Sequence, residues 1–238
     1  MDEKHGRSRD PEAAREAFLS AAEAIFARAG FDGARVEEIA ARAGYNKALL
    51  FHYFGDKLGL YQAVVTRHCD QVAAGNARML GPVVPADDTP LTRDAVRRFL
   101  EAAVRWSFDF CQSQPLCARV LSWEAAEGWT TFRRVSAIRE QSPWIEEVQR
   151  FLRRARAAGF LRSDLDPRLL VAMVMGLTHH YHQALPRFEL MFADAGLSTS
   201  EALAAAREQM VRFVVRGAMT DAAEESEMEG KHFNALGV

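Results

Sequence analysis

Residues 36–57 read VEEIAARAGYNKALLFHYFGDK, and the fold turns on how this stretch is divided. Val36, Ile39, Ala40 and Ala43 recur at helical spacing, while Glu37, Glu38 and Arg42 fall off that stripe. This predicts a helix over Val36–Ala43 with one apolar face. Gly44 follows the last periodic residue, where a left-handed residue ends a helix at little cost. Asn46 is placed to cap a second short helix, Lys47–Phe54. In that helix Leu50 and Phe54 share the inward face, and Lys47, Leu49, Phe51, His52 and Tyr53 share the rest. Gly55-Asp56 closes it, and Asp56 caps a third helix running on from Lys57 through Leu60, Tyr61, Val64 and Val65.

Two short helices joined by a glycine turn are the outline of a helix-turn-helix, whose second helix enters the DNA major groove. Helix-glycine-helix hairpins also occur in many all-α proteins that bind no nucleic acid, so residue identity has to add to the outline. Lys47, His52, Tyr53 and Lys57 are donors suited to phosphate oxygens, bunched around one short helix.

At these residues the sequence resembles the TetR family of transcriptional regulators. The matching positions are Gly30-Phe31, Val36, Ile39-Ala40, Ala43-Gly44, Lys47, Leu50, His52-Tyr53-Phe54, Lys57 and Leu60. The resemblance extends over about Pro11 to Val65 and is weak beyond. It implies that Tyr45, Asn46, Lys47 and Leu49 face the major groove, and that His52, Tyr53 and Lys57 hold phosphates. Lys47 can donate to guanine edges, and Asn46 can pair with adenine if it is not spent on capping. The chain departs from the family at Ala34-Arg35, where a Thr or Ser usually caps the helix beginning at Val36. Arg35 can reach a phosphate, but it supplies no cap.

Composition narrows the class. At 49% hydrophobic and 26% charged residues, the chain is ordinary for a globular protein with a real core. No apolar run is long enough to span a membrane, and the first sixteen residues lack an apolar signal core. Cys69, Cys111 and Cys117 are odd in number and lack C-x-x-C spacing, which points to reduced thiols in the cytoplasm rather than disulfides or zinc. Residues 1–68 hold ten basic and ten acidic residues. Positive surface on the head must therefore be local, and weak non-specific DNA affinity is expected.

The whole chain reads as all-α: a three-helix DNA-binding head followed by a larger helical regulatory and dimerisation domain. The expected divisions are a polar arm at 1–10, the head at 11–56, the second domain at 57–219 and an acidic tail at 220–238. Pro11 suits a helix start, and the helix it opens is expected to end at Gly30. The proline- and aspartate-rich stretch 80–90 reads as a loop. Further helices are expected over 92–112, 115–127, 142–158, 167–184 and 199–217, for nine or ten in all.

The last two long helices are candidates for a dimer interface through Leu170, Val174, Tyr181, Leu203, Met210, Phe213 and Val214, and the resemblance implies a four-helix bundle with two helices from each chain. All four tryptophans lie beyond the head. A ligand pocket is expected at Trp106, Phe110, Trp123, Trp144, Met173, Leu177 and His180, where aromatic walls suit an apolar or aromatic effector. The run THHYHQ brings His179 and His182 to one helix face but adds no third ligand, so neither a metal nor another cofactor is expected. No catalytic motif is present. The expected function is that of a homodimeric repressor released from a palindromic operator by a small molecule. A transcriptional activator and a helical interaction protein that has lost DNA binding are the alternatives.

Overall fold

The computed structural model describes residues 10–84, 89–135, 143–193 and 196–220. The arm (apart from Asp10), the middle of the 80–90 loop and the tail beyond Thr220 lie outside the described residues. Nine α-helices occur among those described: α1 (Pro11–Gly33), α2 (Val36–Ala43), α3 (Lys47–Phe54), α4 (Lys57–Leu80), α5 (Arg93–Ser113), α6 (Pro115–Ala126), α7 (Pro143–Ala157), α8 (Pro167–Met191) and α9 (Ser200–Ala218). The only pairing outside helices among these residues is an isolated antiparallel bridge between Leu161 and Met219.

Local chemistry accounts for most helix ends. The Asp10 carboxylate accepts from Glu12 N at 3.0 Å ahead of Pro11, Asp166 accepts from Arg168 N at 2.8 Å ahead of Pro167, and the Thr199 hydroxyl accepts from Ala202 N at 3.2 Å. Each satisfies a donor that helix geometry leaves open. Two ends differ from expectation. Gly30 adopts φ +68° inside α1, and the chain resumes helical form to Gly33, so that glycine marks a kink and not a stop. Helix α8 continues past Ala184, through Pro186, to Met191. Proline removes one backbone donor, but half-buried Leu185 and Phe188 carry the apolar face beyond it.

The described residues form two compact units: 10–71 with 114–135, and 72–84, 89–113, 143–193 and 196–220. The expected boundary after residue 56 is therefore not where contacts divide. The break falls within α4, and α6 belongs with the head. The reason is packing that sequence periodicity does not specify. The core of the first unit gathers Phe18, Ile25 and Phe26 of α1, Ile39, Leu50, Leu60, Tyr61 and Val64, together with Val120 of α6. The second core gathers Val96, Phe99 and Val104 of α5, Phe151 and Leu152 of α7, Leu170 and Val174 of α8, and Val211 and Val214 of α9. The Phe99 and Phe151 rings lie 4.6 Å apart. Burying each such side chain stabilises its unit by about 1.5–3 kcal/mol.

Candidate nucleic-acid interface

Helix α2 ends as its sequence dictates. Gly44 takes φ 80°, ψ 24°, and Tyr45 N donates to Ala40 O at 3.1 Å. The chain reverses in three residues, and Asn46 Oδ1 then accepts from Leu49 N at 2.8 Å to cap α3. Leu50 is fully buried beneath α3. The Tyr45, Tyr53 and Phe54 rings lie 5.4, 6.3 and 6.1 Å from Phe18 of α1. This clamp holds α3 on the head by one face.

The opposite face is Asn46, Lys47, Ala48, Phe51 and His52, all exposed. Lys47 and His52 stand where expected. Ala48 and Phe51 join them, and both were overlooked as contact residues. The spacing 47, 48, 51, 52 is itself a helix face, so the signal was present in the sequence but hidden by treating Phe51 as generic surface. Lys47 Nζ rests 2.5 Å from Glu37 Oε1 and 5.4 Å from the Phe51 ring centroid. The lysine's hydrogen bond holds the Glu37 carboxyl below the usual carboxylate range. Both partners are well exposed, so a nucleic-acid acceptor can displace the carboxylate at little cost.

Five of the expected contact residues are partly buried or already engaged within the head. Asn46 has spent its carbonyl oxygen on the cap, which removes two-point pairing with adenine and leaves its amide N–H groups. Tyr45, Leu49 and Tyr53 are half-buried against the core of the head, so Leu49 acts first as packing. Lys57 Nζ donates to Asp32 O at 3.2 Å and lies 4.7 Å from the Phe31 ring, tying the end of α1 to the start of α4. Arg35 stands at the α2 N-cap with no side-chain cap bond, as its sequence implied. Replacing it with threonine should supply the bond and raise the stability of the head by about 1 kcal/mol, read as an increase in chemical-denaturation midpoint. An unchanged midpoint would show that the open donors of α2 are already satisfied by water.

The residues expected to form one ligand pocket are dispersed. Trp106 stacks on Phe110 in α5, with ring centroids 5.3 Å apart. Trp123 belongs to the first unit, where its Nε1–H donates to Ala27 O at 3.2 Å. Trp144 packs at the edge of the second core. Met173, Leu177 and His180 instead line an apolar groove of about 700 Å³ between α8 and α9, together with Leu170, Val174, Tyr181, Phe213 and Val214. Pocket and interface candidates thus share one surface. Within it Leu170, Val174 and Val214 face inward as core, Leu203 and Met210 are half-buried, and Met173 and Phe213 stand 52% and 73% exposed. The inner and outer faces of α8 are both apolar, and three of the residues expected at an interface (Leu170, Val174 and Val214) belong to the inner one. Among the described residues, no group of three metal-ligating side chains forms.

A short exposed helix, held by a capped turn on a buried scaffold, with a lysine, a histidine and an aromatic ring facing outward, is a helix-turn-helix DNA-binding head. Comparison with known proteins agrees. Residues 18–64 match the family described as bacterial regulatory proteins, tetR family, and residues 97–214 match the tetracyclin repressor-like C-terminal domain. The transcriptional regulator RutR of Escherichia coli K12 is 30% identical over 189 residues, covering 77% of this chain and 80% of RutR. The transcriptional repressor SCO4008 of Streptomyces coelicolor is 33% identical over 120 residues, which are 50% of this chain and 54% of that protein. The chain thus spans about half of one relative and four-fifths of the other. SmeT, the repressor of a Stenotrophomonas maltophilia multidrug efflux pump, shares the fold with a TM-score of 0.58 at 24% identity, over 90% of this chain and 94% of SmeT. The chain belongs to the TetR family of transcriptional regulators, and it is a regulator, not an enzyme.

Proposed function

We propose that the protein is a homodimeric, cytoplasmic repressor that binds a palindromic operator and releases it when a small molecule binds its second unit. The observation that carries this reading is the outward face of α3, with Lys47, Ala48, Phe51 and His52 exposed on a helix whose other face packs on the head through buried Leu50 and half-buried Leu49, Tyr53 and Phe54. A face so fixed loses little conformational freedom on docking, which favours specific contact. Relatives named as repressors, SCO4008 among them, support repression over activation. No helix among the described residues is long and apolar enough to cross a membrane.

The dimer reading rests on α8 and α9. Leu169, Met173, Gly176, His180 and Gln183 follow one another at spacings of four, three, four and three along α8, and Leu169 and Met173 are 61% and 52% exposed. That spacing is the seam of a helical bundle, and a second copy would cover it by a two-fold axis. Reading a palindromic operator requires two α3 helices on successive major-groove faces about 34 Å apart, which a two-fold dimer can supply.

Selection of bound sequences from random duplex DNA tests the proposal. A palindromic product bound with steep salt dependence supports it, and a folded dimer that enriches nothing refutes it. On the selected operator, Lys47→Ala should weaken binding about tenfold or more, the range of one base or phosphate contact. Unchanged affinity in a filter-binding titration would remove Lys47 from the contact face.

A further inference from the structure

Phe51 is the large apolar side chain on the outward face of α3. Leu49, Tyr53 and Phe54 of the same helix pack against the core of the head, whereas Phe51 stands 37% exposed among Lys47, Ala48 and His52. An aromatic ring left in water forgoes the burial that its neighbours gain. It has no polar side-chain atom, so it can neither donate to a phosphate nor pair with a base. Whatever it contributes on DNA has to come from apolar contact.

The geometry of α3 fixes where that contact falls. Phe51 follows Ala48 by three residues and Lys47 by four, so one helical stripe carries all three. The stripe starts at the N-terminus of α3, the end of a recognition helix whose residues reach base edges. Ala48 has no side chain beyond its Cβ, which leaves room beside the ring for a base edge to approach. On the other neighbour, the Lys47 ammonium lies 5.4 Å from the ring centroid, within the range of a cation–π contact. Charge and ring therefore meet the groove side by side.

We propose that Phe51 is a specificity-determining residue that reads the C5 methyl of a thymine, close to a guanine contacted by Lys47. This rests on the reading of α3 as the helix that enters the major groove. The thymine methyl is the one hydrocarbon group among the base features of that groove, so it is what a phenyl ring can distinguish. Lysine donates to guanine O6 and N7. The 5.4 Å between ammonium and ring centroid is less than two base-pair steps of about 3.4 Å. Each half-site should therefore carry a thymine, on either strand, within two base pairs of a guanine. A ring packed on deoxyribose instead would add affinity without any choice of base.

Deoxyuridine in the operator selected from random duplex DNA provides the test, because uracil pairs as thymine does and lacks only the methyl. Each thymine is replaced in turn, in both half-sites at once, and affinity is read by fluorescence anisotropy. One position should weaken wild-type binding about fifteenfold, from two methyl contacts at about fourfold each, and the others should change it little. Phe51→Ala should bind the thymine and uracil operators equally. If the variant binds weakly, both proteins are compared at lower salt, where phosphate contacts strengthen. The proposal is overturned if no uracil weakens wild-type binding, if the selected half-site has no thymine within two base pairs of a guanine, or if Phe51→Ala keeps the methyl preference. A tight operator indifferent to uracil would refute only the role of Phe51. A folded dimer that enriches no sequence would refute the reading of α3, and this proposal with it.

Discussion

The double variant Met173→Glu, Phe213→Glu should be monomeric, and its operator affinity should fall at least a hundredfold. Both side chains are more than half exposed in the single chain, so placing carboxylates there costs the monomer little. In a two-fold dimer each substitution occurs twice across one seam, burying four like charges whose desolvation costs several kcal/mol apiece. The dimer dissociation constant should therefore rise more than about a thousandfold. A monomer grips one half-site and loses the effective concentration that tethers its second head. Sedimentation velocity reads the first effect and operator titration the second. Helical circular dichroism should be unchanged. A variant that still sediments as a dimer would move the interface off α8 and α9.

The head was legible in the sequence because its signals are local. Gly44 and Asn46 fix a turn of three residues, Leu50 and Phe54 lie four apart, and a reader needs no distant residue to place them. What the sequence could not convey was long-range choice. Trp123 and Trp106 look alike as members of a tryptophan-rich stretch, yet one donates to a carbonyl of α1 and the other stacks on its own helix. Periodicity tells which face of α6 is apolar, and says nothing of which helix that face meets. Helix α8 shows the complementary limit. It is apolar on two faces, so Leu170 and Met173 read as equivalent until burial separates them into core and surface. The backbone cap at Asn46 was foreseeable in kind, but only geometry shows that it consumes the oxygen needed for adenine.

Glu124→Ala should destabilise the first unit by about 2–4 kcal/mol, the sum expected for two buried donors left unpaired. Glu124 is 2% exposed. Its Oε1 accepts from the Tyr61 hydroxyl at 2.6 Å, and its Oε2 accepts from Phe132 N at 3.1 Å. Burial, and then the carboxylate itself, push the Tyr61 hydroxyl well above its ordinary pKa, so the phenol remains the donor across the whole working range. Alanine removes both acceptors and leaves the tyrosine hydroxyl and the backbone amide dry. The loss should be read in the unfolding of the first unit, because all three residues belong to it. Beside Glu124, the Trp123 ring occupies the space that Gly30 leaves by lacking a Cβ, 3.1 Å from where that atom would stand. Glu124 and Trp123 thus pin α6 to α1 and α4 through a polar and an apolar contact. Glu124→Gln keeps one acceptor and should recover about half the loss. Tyr61→Phe should cost less than Glu124→Ala, since it leaves the carboxylate bonded to Phe132 N. Equal costs for alanine and glutamine at this position would mean that the one acceptor glutamine retains contributes nothing, and would overturn this two-bond account of Glu124.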